Sequence, residues 1–461
     1  MKNSNQFKFY KNNYEKIKQE NDVLENKISS LNEKNALLSK QVDFYSNLLN
    51  EIKEGYISDS SIKTKKRILF VLHSGSGGTP KTISDLVKNI YNQFDCYLLT
   101  SDSHVMNLHI YDVDKFNVIE SNKLYSDWKI EKVHIEEYYY VYFKFLMKYN
   151  FDLVHINHLI YHTFDLPKIC NELNIPVILT FHDLYFICPA YTLLDGDYKY
   201  CAGDCNNSHC KQNCFLPMSN ITCISNMKTF VDKWRELVQE MFSYIDFYIS
   251  PSKFIENIIN EYYDVPLNKF TIINHGIDYI KPHEPLFEVP NENNPVKILF
   301  LGNLYPQKGI RVIKELYDLD KNNNLEFHFL GFAPQEISDT GINHGKYNND
   351  ELINYMEHIK PSFIGIFTLT GESYSYTLSE AWAFGIPVLV SKLGALKERV
   401  LENGGGWFID VNNMQNTYNE ILRIIRNPNE YELKIHEIEN ISLNSTKSMS
   451  DEYVETYNKL I

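Results

Sequence analysis

Two glutamates lie between two short apolar runs late in the chain, and this arrangement constrains the fold more than any other feature. Residues 362–367 and 387–390 have the composition of buried parallel strands. Between them, Glu372 follows the first run and Glu380 falls in a predicted helix over residues 377–384. Ligands of open α/β sheets bind beyond the carboxyl ends of such strands. The pattern therefore predicts a βαβ unit whose carboxylates face a common crevice, although a solvated turn before an ordinary helix would give the same pair.

Length and charge limit the function classes. A chain of 461 residues is long enough for two or three domains with sizeable cores. It has no run of about 18 apolar residues and no apolar segment of a secretory signal near its start, which favours a cytoplasmic protein. The formal net charge of −14 argues against nucleic acid as a partner, because non-specific binding requires a basic surface.

Residues 14–54 carry a heptad repeat without internal proline or glycine. Apolar residues occupy one core position of the repeat, namely Ile17, Leu24, Leu31, Leu38, Tyr45 and Ile52. Asn21 and Asn35 fall at the other core position, where paired asparagines select a parallel two-stranded coil. Residues 1–57 are therefore predicted to be a coiled-coil helix that makes the protein a parallel homodimer. A single amphipathic helix that lies on the globular part is the alternative.

A first α/β domain is predicted over residues 66–278, from short apolar runs that alternate with helical segments. The predicted strands are 67–73, 94–100, 152–156, 176–181, 246–250 and 269–274. After the first strand, a glycine-rich loop with Gly77 and Gly78 leads into a helix and would present backbone N–H groups to an anion. Pro80 stands where a P-loop has its second glycine, so a nucleoside triphosphatase is not expected.

A histidine follows one of these predicted strands directly. His182 comes after residue 181, where its side chain would point into the ligand crevice. The adjacent Asp183 would be able to fix the tautomer of this imidazole. A purely structural histidine is the alternative.

A cysteine-rich loop follows over residues 184–217. Its spacings are those that zinc–thiolate sites accept, and the four candidate ligands are Cys201, Cys205, Cys210 and Cys214. A structural Zn²⁺ would explain how a loop with few core-forming residues stays ordered. Free or disulfide-bonded cysteines are the alternative.

A second α/β domain is predicted over residues 296–444, after a linker at 279–295 that is rich in proline, glutamate and asparagine. Its first predicted strand spans residues 296–302. Lys308 follows at a predicted helix start, where its ammonium and the helix dipole would both meet phosphate charge. Residues 445–461 are predicted to contain a last helix.

The spacing Glu372-x7-Glu380, followed by Ala-x-x-x-Gly-x-Pro-Val, resembles the signature of the retaining family-4, or group 1, glycosyltransferases. The resemblance extends through most of residues 66–461. It implies an α/β protein of GT-B fold, in which two Rossmann-like, doubly wound parallel-sheet domains face a cleft and the C-terminal helix crosses back to the first domain. It also implies retaining transfer of a hexose-type sugar from a nucleotide diphosphate sugar, without a metal in the chemistry.

The same resemblance implies acceptors and site residues. The acceptor would be a glycan, a lipid-linked glycan or a protein, in bacterial surface polysaccharide or glycoconjugate synthesis, with peripheral association at the inner face of the membrane. Glu372, His182 and Lys308 would be catalytic. The implied donor-binding residues are Gly77, Gly78, Asn303, Lys308, Arg311, Tyr347, Tyr376, Thr377, Leu378 and Glu380. Family members usually carry arginine at the position of Asn303, so either Arg311 or a backbone N–H would compensate, or the donor would be bound more weakly.

Two other functions remain open from the sequence. A nucleotide-sugar epimerase of the same fold would need additional acid/base carboxylates in the first domain, where the sequence offers no clear pair. A scaffold with a decayed transferase site is compatible with the heptad repeat and with Asn303.

Overall fold

The structure is a computed structural model that describes residues 65–75, 77–205, 227–279, 282 and 284–461, with scattered positions between residues 25 and 50. Those scattered positions are helical and exposed. Most of the heptad repeat at 14–54 lies outside the described residues, so the coiled-coil dimer stays a prediction.

The first domain is built on one mixed sheet. Its strands are β1 (Lys66–His73), β2 (Phe94–Ser101), β3 (Val105–Asp112), β4 (Lys115–Lys123), β5 (Leu153–Ile156), β6 (Val177–Thr180), β7 (Phe247–Ser250) and β8 (Phe270–Ile272). In the described part of the chain their order is β4-β3-β2-β1-β5-β6-β7-β8, and only the β2–β3 and β3–β4 pairs are antiparallel. The connections leave β1 and β5 towards opposite edges, which makes the boundary between these two strands a switch point where ligands bind.

Helices cover both faces of this sheet. They are α1 (Gly78–Ile90), α2 (Glu136–Tyr149), α3 (Asp165–Glu172), α4 (Met227–Phe242) and α5 (Lys253–Tyr262). Alternate residues of β1 enter two separate cores, with Leu69 and Val71 in one and Ile68 and Phe70 in the other. A strand that is buried on both faces is apolar throughout, which is why its position is evident from the sequence.

The second domain has a sheet that is parallel throughout. Its strands are β9 (Val296–Leu301), β10 (Leu325–Leu330), β11 (Ile342–Gly345), β12 (Phe363–Ile366), β13 (Val388–Ser391) and β14 (Gly406–Ile409). The order of the described strands is β11-β10-β9-β12-β13-β14. The switch point of this sheet therefore lies between β9 and β12.

The remaining helices belong to the second domain and the C-terminal segment. They are α6 (Ile310–Leu319), α7 (Gln335–Ser338), α8 (Leu352–Ile359), α9 (Tyr376–Ala383), α10 (Gly394–Asn403), α11 (Met414–Ile425), α12 (Pro428–Glu439) and α13 (Thr446–Asn458). Short 3-10 helices lie at Leu267–Lys269, Pro306–Lys308 and Asn349–Glu351. Among the described helices, none has the length and apolarity needed to cross a membrane.

The predicted α/β architecture with two doubly wound domains is confirmed, but several elements were not predicted. The prediction of parallel sheets misses the antiparallel hairpin β3–β4 at the edge of the first sheet. The sequence of β4 is largely polar and most of its residues are exposed or half-buried, so it gives no apolar run. The short strands β11 and β14 and the helices α8 and α12 are also absent from the sequence-based prediction.

The C-terminal helix crosses back to the first domain. Met449, Tyr453 and Tyr457 are buried in the same core as Phe70. The Tyr457 hydroxyl lies 2.8 Å from Nδ1 of the buried His155. The last helix therefore completes the first domain, although the second domain separates the two in sequence.

The chain crosses between the domains twice, and the two crossings are bonded to each other. The Ile277 N–H donates to the Asn444 carbonyl over 2.9 Å. The Asp278 carboxylate accepts from the Thr446 N–H and from its hydroxyl. A Cβ on Gly276 would lie 2.3 Å from the Ser445 carbonyl oxygen, so glycine is required for the two segments to approach this closely.

The predicted zinc ligands are only partly described. Cys201 and Cys205 lie at the end of the described part of the cysteine-rich loop, whereas Cys210 and Cys214 lie outside the described residues. Among the described residues, no group of three or more histidine, cysteine, aspartate or glutamate side chains is placed to hold a metal ion. The zinc site is therefore without structural support.

Truncation of a buried tyrosine on α13 tests how far the last helix stabilises the first domain. We expect Tyr453→Ala to lower the free energy of unfolding by about 3–5 kcal/mol, because it leaves a large cavity in a packed core. Chemical denaturation of the full-length protein measures the change. Glu455→Ala on the same helix is the control, since the Glu455 side chain is 72% exposed. Equal stability of the two variants would contradict the structural role of α13.

Candidate active site

A cavity of about 290 Å³ lies between the two domains. The first domain contributes Gly78, Thr79, His182 and His275 to its lining. The second domain contributes Lys308 and residues 372–377. Gly78 and Tyr376 are the first residues of α1 and α9, so two helix N-termini face this space. Helix N-termini attract anions, because their first N–H groups lack partners within the helix.

Lys308 and Glu372 form an ion pair on the wall that the second domain contributes. The ammonium of Lys308 is bonded to Oε1 of Glu372. Lys308 follows β9 and Glu372 follows β12, which are the two strands at the switch point of the second sheet. The topology alone thus brings together two charged side chains that are far apart in sequence.

The loops that carry this pair are tied together. The Leu369 N–H donates to the Gln307 carbonyl over 2.8 Å, and the Thr368 hydroxyl donates to the same oxygen over 3.2 Å. Gly309 has φ +83°, and a Cβ there would lie 2.0 Å from the Phe367 carbonyl oxygen. Any other residue at position 309 would push the Lys308 loop away from the Glu372 loop.

Helix α10 also holds the backbone of Glu372 in place. The Ala395 N–H donates to the Glu372 carbonyl over 2.8 Å. Gly394 has φ +55°, and a Cβ there would lie 2.5 Å from the Glu372 nitrogen. The position of the Glu372 side chain therefore depends on a glycine that lies 22 residues later in the sequence.

His182 is held by Asn157 and not by the adjacent aspartate. Its Nε2 lies 3.0 Å from Oδ1 of Asn157, whose amide nitrogen donates to the His155 carbonyl. The amide orientation that this second bond requires makes Nε2 of His182 the donor and leaves Nδ1 as an acceptor. The expectation that Asp183 fixes the tautomer is wrong, because its carboxylate bonds to His158 over 3.0 Å.

Burial keeps the histidines of the cavity neutral. Burial, helped by the neighbouring His158 and His73 and opposed by the Asp183 carboxylate, lowers the pKa of His182 to about 3. Burial also lowers the pKa of His275 well below its usual value. The wall that the first domain contributes is therefore polar but uncharged at neutral pH.

A stack of three rings bridges the domains. His275 lies between His182 and Tyr376, with ring centroids 5.6 and 5.3 Å away and with nearly parallel planes. The Tyr376 hydroxyl lies 2.8 Å from that of Thr82, which itself donates to the Gly78 carbonyl. Tyr376 must therefore be the donor to Thr82. Nδ1 of His275 is buried and has no partner within the described residues.

The segment between Glu372 and α9 is held by a buried guanidinium. Arg399 donates to the carbonyls of Tyr374 and Ser375 over 2.9 and 3.0 Å, and to the Ser379 hydroxyl over 2.8 Å. Ser375 has φ +76°, an unusual conformation for a residue with a side chain. Its hydroxyl caps α9 by accepting from the Leu378 N–H. Strained residues of this kind cluster at ligand sites, where surrounding contacts hold them.

The structure brings together only part of the predicted site. Six of the predicted residues line the cavity, namely Gly78, His182, Lys308, Glu372, Tyr376 and Thr377. The others do not line it, namely Gly77, Asn303, Arg311, Tyr347, Leu378 and Glu380. The Leu378 side chain lies in the core, and its N–H donates to the Ser375 hydroxyl, so neither group is available to a ligand.

Glu380 and Tyr347 lie near each other beyond the cavity lining. Burial raises the pKa of Glu380, and the positive charge of Lys81 opposes this shift. Burial also raises the pKa of Tyr347, with a smaller contribution from the charge of Glu380. Among the described residues, the Glu380 carboxylate has no hydrogen-bond donor, which leaves its oxygens available to hydroxyl groups of a ligand.

A substitution at Gly394 tests how the Glu372 loop is held. We expect Gly394→Ala to lower the free energy of unfolding by about 1–3 kcal/mol more than Gly385→Ala, because overpacking adds to backbone strain. Gly385 is the matched control, since its φ is +74° but a Cβ there would meet only Phe287, at 4.0 Å. Urea denaturation of both variants measures the difference, and equal losses would mean that the approach to Glu372 is not tight.

Comparisons with known proteins place this chain in a family. Residues 284–439 match the model of the glycosyl transferases group 1, and residues 137–280 match that of glycosyltransferase family 4. Together the two matches cover about two thirds of the chain. An uncharacterized glycosyltransferase of Methanocaldococcus jannaschii is 26% identical over 189 residues, or 39% of this chain. The match spans about half (49%) of the length of that curated relative.

Solved structures have the same fold. Sucrose-phosphate synthase from Thermosynechococcus elongatus superposes with a TM-score of 0.57 at 14% identity, over 86% of this chain and 99% of that one. A glycosyltransferase from Rickettsia africae gives 0.56 at 16% identity, over 86% and 99% of the two chains. Anabaena HepE in complex with UDP-glucose gives 0.55 at 13% identity, over 85% and 99%. With its two family matches and its two facing Rossmann-like domains, the chain belongs to the group 1, family 4 glycosyltransferases of GT-B fold.

Proposed function

We propose that this protein is a retaining glycosyltransferase that moves a hexose-type sugar from a nucleotide diphosphate sugar to a glycan, lipid-linked or protein acceptor. The observation that carries the proposal is the Lys308–Glu372 pair, which faces the neutral His182 across one cavity between the domains. A cation, a carboxylate and helix N-termini around one space suit a ligand that combines phosphate charge with sugar hydroxyls. The Anabaena relative of similar fold was solved with UDP-glucose.

The diphosphate of the donor would bind at Lys308 and at the N-termini of α1 and α9. A lysine ammonium has three donors, so Lys308 can contact phosphate oxygens while it stays close to Glu372. The charge that develops on the leaving diphosphate would be stabilised by groups that are already oriented towards it. These groups would supply that stabilisation from the protein itself, without a metal ion.

The sugar would lie between Glu372 and His182. The carboxylate of Glu372 can accept hydrogen bonds from sugar hydroxyls, and Nδ1 of the neutral His182 can accept another. Glu380, with its unpartnered carboxylate, would bind the ribose hydroxyls of the nucleotide. In retaining transfer the acceptor hydroxyl attacks on the face from which the diphosphate leaves, and a phosphate oxygen takes its proton.

The composition of the cavity favours transfer over epimerisation. An epimerase requires an acid/base pair on the wall that the first domain contributes. In the described lining, the first domain supplies two neutral histidines and no carboxylate. The Asp183 carboxylate already accepts from His158. Burial raises the pKa of Asp183, but the interaction with His158 outweighs burial and keeps this pKa below its usual value, so the carboxylate stays ionised.

The biological setting is part of the same proposal. We place the enzyme in bacterial surface polysaccharide or glycoconjugate synthesis, at the inner face of the membrane, with a parallel coiled coil at residues 14–54 that makes it a dimer. Family membership and the heptad repeat support this setting.

Incubation with a panel of nucleotide sugars and measurement of diphosphate release tests the activity. Absence of release from every donor, with and without lipid-linked acceptors, would refute it.

Two substitutions separate the roles of the glutamates. Loss of a hydrogen bond to a charged group costs about 1.5–3 kcal/mol. We expect Glu372→Gln to lower kcat and Glu380→Ala to raise the donor KM, because only Glu372 would contact the reacting sugar. Steady-state kinetics measure both effects, with the exposed Glu455→Gln as control. Turnover close to the unmodified enzyme in both variants would remove the main argument for the site.

The cysteine-rich loop is proposed to bind one structural Zn²⁺ through Cys201, Cys205, Cys210 and Cys214. The spacing of these residues supports the proposal. We expect metal analysis of the purified protein to give about one zinc per chain. Cys205→Ser should lose the metal and Cys96→Ala, a change in strand β2, should keep it. Metal-free protein with unchanged stability would contradict the proposal.

A further inference from the structure

Helix α10 touches the cavity and the first domain at the same time. Near its start, the Ala395 N–H binds the Glu372 carbonyl. One turn later, Arg399 binds the carbonyls of Tyr374 and Ser375. These bonds connect the helix to the backbone of residues 372–375, which line the cavity.

Glu398, next to Arg399, makes the contact with the first domain. Its two carboxylate oxygens accept from the N–H groups of Lys253 and Phe254, over 3.0 and 2.5 Å. These residues begin α5, and the first N–H groups of a helix have no partner within the helix. A carboxylate at a helix N-terminus is also favoured by the helix dipole. Glu398 therefore binds across the domain boundary with its charge and with both oxygens.

A second bond joins the same two regions. The Ser252 hydroxyl donates to the Ser373 carbonyl over 2.7 Å. The same hydroxyl accepts from the Ile255 N–H, so Ser252 is also the N-cap of α5. The N-terminus of α5 thus contacts both α10 and the segment that follows Glu372.

The next glutamate on α10 differs from Glu398 in its exposure and in the group that it binds. Glu402 lies one turn after Glu398 and pairs with the Lys253 ammonium over 3.5 Å. Its side chain is 58% exposed, and exposed pairs of this kind contribute little. Glu398 is half-buried and binds two backbone N–H groups, so its loss would leave the partly buried Phe254 N–H without this partner.

We propose that Glu398 is a positioning residue of the transferase site. By docking on α5 of the first domain it fixes α10, and α10 fixes the backbone of residues 372–375 through Ala395 and Arg399. The packing of one domain on the other would then set the position of the Glu372 carboxylate. The kinetic part of this inference rests on the proposed function, whereas the mechanical part does not.

Hydrogen exchange tests the mechanical part without any assay of activity. We expect Glu398→Ala to speed exchange both at the start of α5 and in residues 371–376, while Glu402→Ala leaves both unchanged. Exchange that rises only at the start of α5 would overturn the proposal, because Glu398 would then be a local contact. Glu398→Gln keeps one acceptor oxygen and should give an intermediate effect, so it replaces the alanine variant if that variant does not fold.

Kinetics test the consequence for transfer. Small displacements of a substrate-binding group reduce turnover by about 10- to 100-fold. We expect this loss in kcat for Glu398→Ala, with kcat expressed per binding site and the sites counted by titration with a nucleoside diphosphate. The donor KM should stay within a few-fold of that of the unmodified enzyme. Glu402→Ala should leave both constants unchanged. Equal kcat values for the two variants would overturn the inference. A full-length protein that releases diphosphate from no donor would refute the proposed function, and hydrogen exchange would still decide the role of Glu398.

Discussion

The reversal of strand order between β9 and β12 is the constraint on which the candidate site depends. The connections after these two strands leave towards opposite edges of the sheet, so their loops separate and leave room for a ligand. Lys308 and Glu372 occupy these loops, and Gly309 allows the loops to touch at Phe367. The first sheet has the same reversal between β1 and β5, and Gly78 and His182 lie at the corresponding edge. Two equivalent edges that face each other form the cavity.

The two walls of the cavity differ in charge, and this difference suits them to different parts of the proposed reaction. The wall from the second domain has an ammonium and a carboxylate, whereas the wall from the first domain has neutral imidazoles. A charged wall suits the diphosphate and the sugar that it carries. An uncharged wall of hydrogen-bonding groups suits neutral sugar hydroxyls, because no buried charge has to be desolvated when they bind.

Much of the fold could be predicted from the sequence, because parallel strands buried on both faces are apolar throughout. The strands that precede Lys308, Glu372 and His182 belong to this class. His182 was therefore predicted at a strand end, Glu372 in the loop after its strand, and Lys308 at the helix start that follows its strand. The edge strand β4 is polar and was missed.

Hydrogen-bond partners within the site were harder to predict than the strands. Neighbouring residues at a strand end point in different directions, which is why Asp183 bonds to His158 and not to His182.

Other residues of the site gave no signal in the sequence. Arg399 and Glu398 bind backbone atoms of distant segments, and no sequence pattern specifies a partner of that kind. Nothing in the sequence marked His275 as a cavity residue either. Such contacts depend on how the two domains pack, which is a property of the whole chain.

The return of α13 to the first domain has a consequence for synthesis on the ribosome. Domains generally fold as units during translation, with the N-terminal one first. Here one core of the first domain needs Tyr453 and Tyr457, which are made only after the whole second domain. Until then α1 covers this core without α13, and the nascent chain exposes the apolar surface on which α13 later packs. The first domain to emerge is thus the last to be finished.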